Sequence, residues 1–449
     1  MSSHLELIDK LAIPKATQRV GRVVEAYGTL IRATGLQAKV GELCVLRDPA
    51  TGATGRAEVI GIMDGLTVLT PLGTIRGISQ GTEVSETGTT VTIGVGNAML
   101  GRVVDAYANP IDGKGPIAAD TAVPLRRNAP APFARSLVDR PVTTGIRSID
   151  GLMTIGRGQR LGVFAAAGVG KSTLLSQLAS GSEADVNVIV LLGERGREVR
   201  EFVEHLGAEG MRKSVVVVAT SDRPALERSH AAYTGTAIAE FLRAQGLHVM
   251  LLLDSVTRFA RALRDVALSV GEPPARRGYP PSVFSELPSL FERAGNDEHG
   301  AMTAFYSVLV EDEESSDPIA EEVQSILDGH IHLSRKLAAK NHYPAIDVGT
   351  SLSRLMNQIT SHDHKMAAAR YRELLAKYDE IELLVQIGEY TQGQDYLADE
   401  AVKRLQQLNQ FAQQDVPVAQ NIEETVANLL EAVHGPVESA LDTTIDQSP

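Results

Sequence analysis

Leu161-Gly162-Val163-Phe164-Ala165-Ala166-Ala167-Gly168-Val169-Gly170-Lys171-Ser172-Thr173-Leu174-Leu175 decides how the rest of the chain is read. An apolar run enters a small-residue turn, and a helix-forming run leaves it. Strand, Gly-rich turn and helix in that order build a phosphate-binding loop. Backbone N–H groups ring an anion there, and the helix N-terminus adds its partial positive charge. Ala166, Ala167, Gly168, Val169 and Gly170 would supply that backbone, with Thr173 in the first helical turn. Lys171 would reach the β- and γ-phosphates of ATP, and the Ser172 hydroxyl would ligate Mg²⁺. One departure stands out: the pattern's first Gly is Ala165.

Outward from this loop, apolar strands alternate with helical stretches: 186–192, 214–220, 248–253 and 302–310 read as strands. That alternation predicts an α/β core, a P-loop domain with a mainly parallel sheet. Two strands end on carboxylates. Asp254 closes one, where a water-mediated Mg²⁺ contact is needed. Glu194 follows another, where a carboxylate can polarise the attacking water. For Glu194 an ion pair with Arg195 or Arg197 is the competing reading.

Before the core, short Val/Ile/Leu runs at 20–26, 42–46, 57–62 and 66–69, separated by Gly, Pro, Asp and Thr, predict a small all-β barrel or sandwich. After it the apolar spacing is helical. The expected domains are 1–90 (a short N-terminal segment, with an amphipathic helix or a frayed end at 5–13, plus the barrel as an oligomerisation domain), 91–355 (the ATPase domain, with a turn-rich connector at 91–150) and 356–449 (helical). No Lys or Arg follows Arg404, so an acidic tail from about 411 is expected to be solvated and partly disordered.

Composition sets limits. Of 449 residues 43% are hydrophobic, enough for a sizeable interior. No apolar run reaches membrane-spanning length and no secretory signal is visible, which with a lone cysteine, Cys44, points to a reducing cytoplasm. A net charge of −13 and the absence of Trp weigh against a nucleic-acid-binding surface.

Four longer motifs carry a family resemblance: Gly193-Glu194-Arg195-Gly196-Arg197-Glu198-Val199, Asp254-Ser255-Val256-Thr257-Arg258-Phe259-Ala260, the stretch 271–284, and Pro344-Ala345-Ile346-Asp347-Val348-Gly349-Thr350-Ser351-Leu352-Ser353-Arg354. Together they resemble the rotary-type ATPases, and among these the type III secretion ATPases of the injectisome and flagellar export. The resemblance runs over about residues 18–410. It implies that the P-loop domain is of RecA-like type, that Glu194 is the catalytic carboxylate, that Arg195 and Arg258 contact the γ-phosphate, and that Tyr343 stacks on adenine. Arg354 becomes an arginine finger supplied by a neighbouring subunit. Since one chain carries every part, it implies a homohexamer. It further implies a stalk protein in the ring pore, met by the loop at 271–284 with Arg276 and Arg277. A stator or regulator would bind the N-terminus, and chaperone–effector complexes the C-terminal domain. The expected activity is Mg²⁺-dependent ATP hydrolysis that releases chaperones, unfolds substrates and drives their export. The expected location is the inner face of the bacterial inner membrane, held there indirectly through the secretion apparatus. Phe164-Ala165-Ala166-Ala167 is similar to injectisome members, and flagellar members more often carry Gly-Ser-Gly there; a flagellar export ATPase is the alternative.

Readings of other classes are a hexameric RNA helicase, which would need a basic, aromatic barrel that 18–87 lacks, and a non-hydrolysing ring component, which Glu194 opposes. A proton-linked rotary catalytic subunit is a third, opposed by Tyr343 and Arg354 sharing one chain. The pairs His330/His332 and His362/His364 lack a third metal ligand at sensible spacing. Glu311-Asp312-Glu313-Glu314 lacks calcium-loop spacing and reads as a loop. Cys44 has no adjacent base and reads as structural.

Overall fold

The computed structural model describes residues 19–73, 77–310, 317–416 and 419–436. The segment 5–13 and the run Glu311–Glu314 lie outside those residues.

Six strands close into a barrel: β1 (Val20–Tyr27), β2 (Leu30–Thr34), β3 (Glu42–Arg47), β4 (Thr54–Met63), β5 (Leu66–Pro71) and β6 (Glu83–Thr90), in the order β1-β2-β5-β4-β3-β6. Alternation places Val23, Ile31, Ala33, Cys44, Leu46, Val59, Leu69 and Val84 inside. Burial, with Glu42 and Glu86 nearby, pushes the Cys44 thiol up to about 12, so it packs as a small hydrophobe. β6 escapes a sequence reading because only Val84 of Glu-Val-Ser-Glu-Thr-Gly-Thr-Thr enters the core. The barrel rests on the next domain through Glu58, whose Oε2 lies 3.0 Å from His230 Nε2.

The central sheet is built from β7 (Val103–Val104), β8 (Arg160–Ala165), β9 (Val186–Leu192), β10 (Ser214–Ala219), β11 (His248–Asp254), β12 (Ala301–Leu309), β13 (Gly329–Leu333) and β14 (Ile346–Ser353). Their order is β14-β13-β8-β12-β11-β9-β10-β7; β14 is antiparallel to β13 and the other neighbours are parallel. Every residue of β9, β10 and β11 is buried, as a parallel sheet covered on both faces requires. The covering helices are α1 (Lys171–Gly181), α2 (Gly196–Arg212), α3 (Ala225–Arg243), α4 (Val256–Ser269) and α5 (Pro318–Ile326). Arg293 is buried beneath them in a two-pronged pair with Glu240, at 2.7 and 2.8 Å, and donates to the Leu125 carbonyl.

The C-terminal part is α6 (His362–Gln386), α7 (Tyr396–Ala412) and α8 (Ile422–His434). It is pinned to the core by His364 Nε2 donating to the Gly151 carbonyl at 2.7 Å and Arg372 Nη2 donating to the Leu152 carbonyl at 2.8 Å, while Tyr371 Oη, donating to the Leu408 carbonyl at 2.9 Å, ties α6 to α7. α8 corrects the expectation of a solvated acidic tail over its length. Thr425, Leu429, Ala432 and Val433 fall on one helical face and are buried, while Glu423 and Glu424 stay outside. The acidic charge masks an amphipathic helix. Phe164 stacks on His332, and His330 packs edge-on to both rings, so the two histidines serve packing; among the described residues no cluster of three or more metal-ligating side chains occurs.

Candidate active site

The carboxyl ends of β8, β9 and β11 converge on one edge of the sheet. β8 ends at Ala165 and α1 begins at Lys171; between them Gly168 and Gly170 take left-handed backbone at φ 82° and 92°, which only glycine adopts freely. Gly170 caps α1 and no side chain takes its place, so the first-turn N–H groups have no side-chain acceptor. That is an anion site by construction.

Lys171 Nζ pairs with Asp254 Oδ1 at the end of β11, and Ser307 Oγ on β12 donates to the same oxygen at 2.6 Å. Asp254 is buried, while the Ser172 and Thr173 side chains face outward from the first turn of α1. Glu194 follows β9 through Gly193. Arg258, in the first turn of α4, lies 3.1 Å from Glu194 Oε2 and also donates to the Gly193 carbonyl. A Cβ at Gly193 would sit 3.0 Å from Arg258 Cδ, so the glycine is needed for this approach as well as for its φ of 63°. Neither competing ion pair forms: Arg195 faces Glu198 at 3.7 Å and Arg197 faces Glu201 at 3.4 Å. Arg195 is 76% exposed and touches no other member of the cluster.

On the outer side of α1 lies a cavity of about 840 Å³ lined by Val169, Gly170, Thr173, Gln177 and Tyr343 and closed from the C-terminal part by Gln414. Tyr343 is 42% exposed, and its ring lies 3.5 Å from where a Cβ on Gly170 would be. A half-open ring beside the loop's exit suits a purine base.

Arg354 is not brought to this cluster. Gly329 pairs with Ser353, and His330 pairs with both Leu352 and Gly162, so Arg354 lies level with the start of β8. The loop leaves the other end, roughly 16 Å further along the strand at about 3.3 Å per residue. The Arg354 guanidinium is exposed and lies 3.4 Å from the Gln324 carbonyl.

Three family models match: the ATP synthase alpha/beta family, beta-barrel domain over residues 23–88, its nucleotide-binding domain over 145–353, and the T3SS EscN ATPase C-terminal domain over 360–431. The type 3 secretion system ATPase of Xanthomonas euvesicatoria is 56% identical over 90% of this chain and 92% of its own length. The chain belongs to the type 3 secretion system ATPases. It therefore binds ATP and hydrolyses it. The type 3 secretion system ATPase of Sinorhizobium fredii is 52% identical over 90% of each chain, and the flagellum-specific ATP synthase of Bacillus subtilis is 45% identical over 94% of this chain and 97% of its own. The assembled ATPase EscN from enteropathogenic E. coli superposes with a TM-score of 0.87 at 45% identity, covering 92% of this chain and 100% of that one.

Within this secretion ATPase the electrostatics single out Glu194. Burial, a hydrogen bond shared with Glu198 and the nearby Asp254 raise its carboxyl to about 7, against the pull of Arg258 and Lys171. Glu198, the more exposed partner, is held below its ordinary range by the same hydrogen bond. The shared proton therefore belongs on Glu194. A carboxyl poised there suits a general base at neutral pH.

Sequence reading missed Ser307, Glu198 and Gln414. Ser307 was visible only as a polar residue inside the apolar run 301–309. Gln414 bridges three segments: its backbone N–H donates to the Tyr343 carbonyl at 2.9 Å, its Oε1 accepts from Arg147 N at 2.8 Å, and its Nε2 donates to the Gly145 carbonyl at 2.7 Å. Nothing local in Gln-Gln-Asp announces that role.

Proposed function

We propose that this chain hydrolyses Mg-ATP at sites each shared by two copies in a homohexameric ring. Hydrolysis there energises type III protein secretion, releasing chaperones and unfolding the exported proteins. The observation that carries this reading is the separation of Arg354 from its own loop, while Lys171, Asp254, Glu194 and Arg258 cluster. A finger that cannot serve its own site serves the next one.

Within one site the loop backbone and Lys171 hold the phosphates. Glu194, oriented by Arg258, aligns the attacking water and takes its proton. Tyr343 stacks on adenine, and Arg195, free to swing from its exposed position, meets the γ-phosphate. The hard oxygens of Ser172 and, through water, Asp254 fit Mg²⁺. When bound, the ion neutralises charge on the β- and γ-phosphate oxygens. Arg354 of the adjacent copy stabilises the transferring phosphoryl group, a contribution of roughly 10³–10⁵ in rate.

EscN has also been solved in complex with its central stalk EscO, and that structure superposes here with a TM-score of 0.85. By that likeness a stalk fills the pore of this ring. Arg276 is engaged with Glu321 and lies over the Phe284 ring, which leaves the exposed Arg277 as the better stalk-facing group. Leu383, Leu384 and Ile387 stand exposed at the end of α6 and would receive chaperone–substrate complexes. A stator or regulator at the N-terminus would bind residues outside those described. Among the described residues no helix is long and apolar enough to cross a membrane, so attachment to the inner membrane would run through partner proteins.

The test mixes two inactive variants. Glu194→Gln and Arg354→Ala should each lack turnover, and an equal mixture should recover part of it, because some interfaces then pair an intact Glu194 with an intact Arg354. A mixture as inactive as its components would refute the shared site.

A further inference from the structure

Two of the most exposed apolar side chains in the molecule are close together in sequence: Phe133 is fully exposed and Leu137 is 87% exposed. They belong to the segment Ala129-Pro130-Ala131-Pro132-Phe133-Ala134-Arg135-Ser136-Leu137, in the turn-rich stretch before the central sheet. An exposed Phe forgoes the favourable burial of its ring, so a large apolar pair held out in solvent calls for an occupant.

The segment is pinned. Arg135 donates to the Ala294 carbonyl at 3.0 Å and to the Glu292 carbonyl. Ser136 Oγ donates to the Asp297 carbonyl at 3.1 Å, and Asn296 Nδ2 donates to the Leu137 carbonyl at 3.3 Å. Pro130 and Pro132 stiffen the approach. The two side chains are therefore displayed from a fixed backbone, which lowers the entropic cost of covering them.

The pinning groups lead directly to Arg354. Arg135 pairs with Glu292 at 3.0 Å, Glu292 with Arg160 at 2.5 Å, and Arg160 with Asp328 at 3.0 Å; the Asp328 carbonyl accepts the Arg354 backbone N–H at 3.0 Å. Leu352, two residues before Arg354 and on the same side of β14, is 47% exposed as well. The apolar segment is thus joined to the Arg354 backbone by a ladder of three ion pairs of alternating charge and one closing backbone hydrogen bond.

We propose that Phe133 and Leu137 form an apolar contact with a second copy of this chain, on the face that presents Arg354, and that the ladder fixes the finger relative to this contact. The occupant is a neighbouring copy because the ladder ties this segment to the backbone of the residue that serves the neighbour's site. The proposal rests on the shared-site reading above. Aromatic side chains and arginines are among the residue types enriched at the centre of protein interfaces.

The first test uses Phe133→Cys carrying a polarity-sensitive fluorophore. Cys44 is buried with its thiol pushed up to about 12, so the new cysteine labels alone. Emission should shift to the blue as protein concentration rises, over the same range in which particle mass and specific ATPase activity climb. The second test is the double variant Phe133→Ser, Leu137→Ser. The concentration for half-maximal specific activity should rise at least tenfold, with the plateau rate and the monomer's melting temperature retained. A label that stays in water while the mass rises, or a double variant with an unchanged concentration curve, overturns the proposal. The mixing experiment fails separately: a blue shift on assembly without recovery of activity keeps the contact and removes only the shared catalytic site.

Discussion

Glu194→Gln should stabilise the nucleotide-binding domain above neutral pH while abolishing turnover. In an unfolded chain Glu194 ionises near its ordinary 4.5, whereas in the fold its carboxyl is raised to about 7. Below 4.5 both states hold the proton and the difference costs nothing. Between 4.5 and 7 the unfolded chain ionises first, so the folded state loses stability relative to it, and above 7 the loss is complete. A raised carboxyl thus destabilises at high pH, opposite in sign to a salt-bridged one. The full cost is about 3 kcal/mol at 1.36 kcal/mol per pH unit of displacement. The Glu194 side chain is only 11% exposed, so solvent screening removes little of it. Gln carries no such penalty, and the attraction of Arg258 is already contained in the displacement; Glu198, held low by the same hydrogen bond, loses that stabilisation, so the net gain at pH 8 is about 2 kcal/mol. For a domain of this size that is a rise of roughly 4–8 °C in the unfolding midpoint. Scanning calorimetry of both proteins at matched pH from 5 to 8 should show the gap opening as pH rises. A gap independent of pH would refute the assignment of a buried, proton-holding carboxyl. In the wild type kcat/KM should fall about tenfold per pH unit below 7, since the base must be ionised in the free enzyme.

Tyr343→Ala should raise KM for ATP about 5- to 100-fold with kcat preserved, the loss expected for removing an aromatic platform from a base; steady-state kinetics decide it. Arg293→Met leaves Glu240 buried with only the more distant Arg127, 4.0 Å away, to face, and should cost about 3–5 kcal/mol, read as a lower unfolding midpoint; the double change with Glu240→Leu should restore most of it. Leu429→Ala should cost about 2–5 kcal/mol by opening a cavity beneath α8, and an unchanged midpoint would mean that this helix is not docked.

The chemistry-bearing parts of the site were legible because they are local. A phosphate loop is one strand, one turn and one helix in sequence, and Gly168, Gly170, Lys171 and Ser172 announce it without help from elsewhere. Asp254 and Glu194 were legible because an apolar run that ends on a carboxylate places that carboxylate at the sheet's carboxyl edge. The barrel was legible from the apolar runs in β1, β3, β4 and β5; β2 and β6 were not read, β2 because its five residues put only Ile31 and Ala33 inside and β6 because only Val84 enters the core.

Long-range pairing decided the rest. Whether Glu194 faced Arg195, Arg197 or Arg258 depended on α4 packing beside β9, some 60 residues away in sequence. Its raised carboxyl required burial, which only the closed sheet supplies. Gln414 became part of the cavity beside Tyr343 because the chain leaving α7 pairs with the Tyr343 carbonyl, and α8 became a docked helix because its apolar stripe found the core. The register of β13 with β8 and β14 carried Arg354 to the far end of the strand from its own loop. The sequence by itself determined which groups this protein has for ATP hydrolysis. Only the tertiary structure decided which of them meet within one chain, since backbone pairing sets those distances and no local run of residues encodes them.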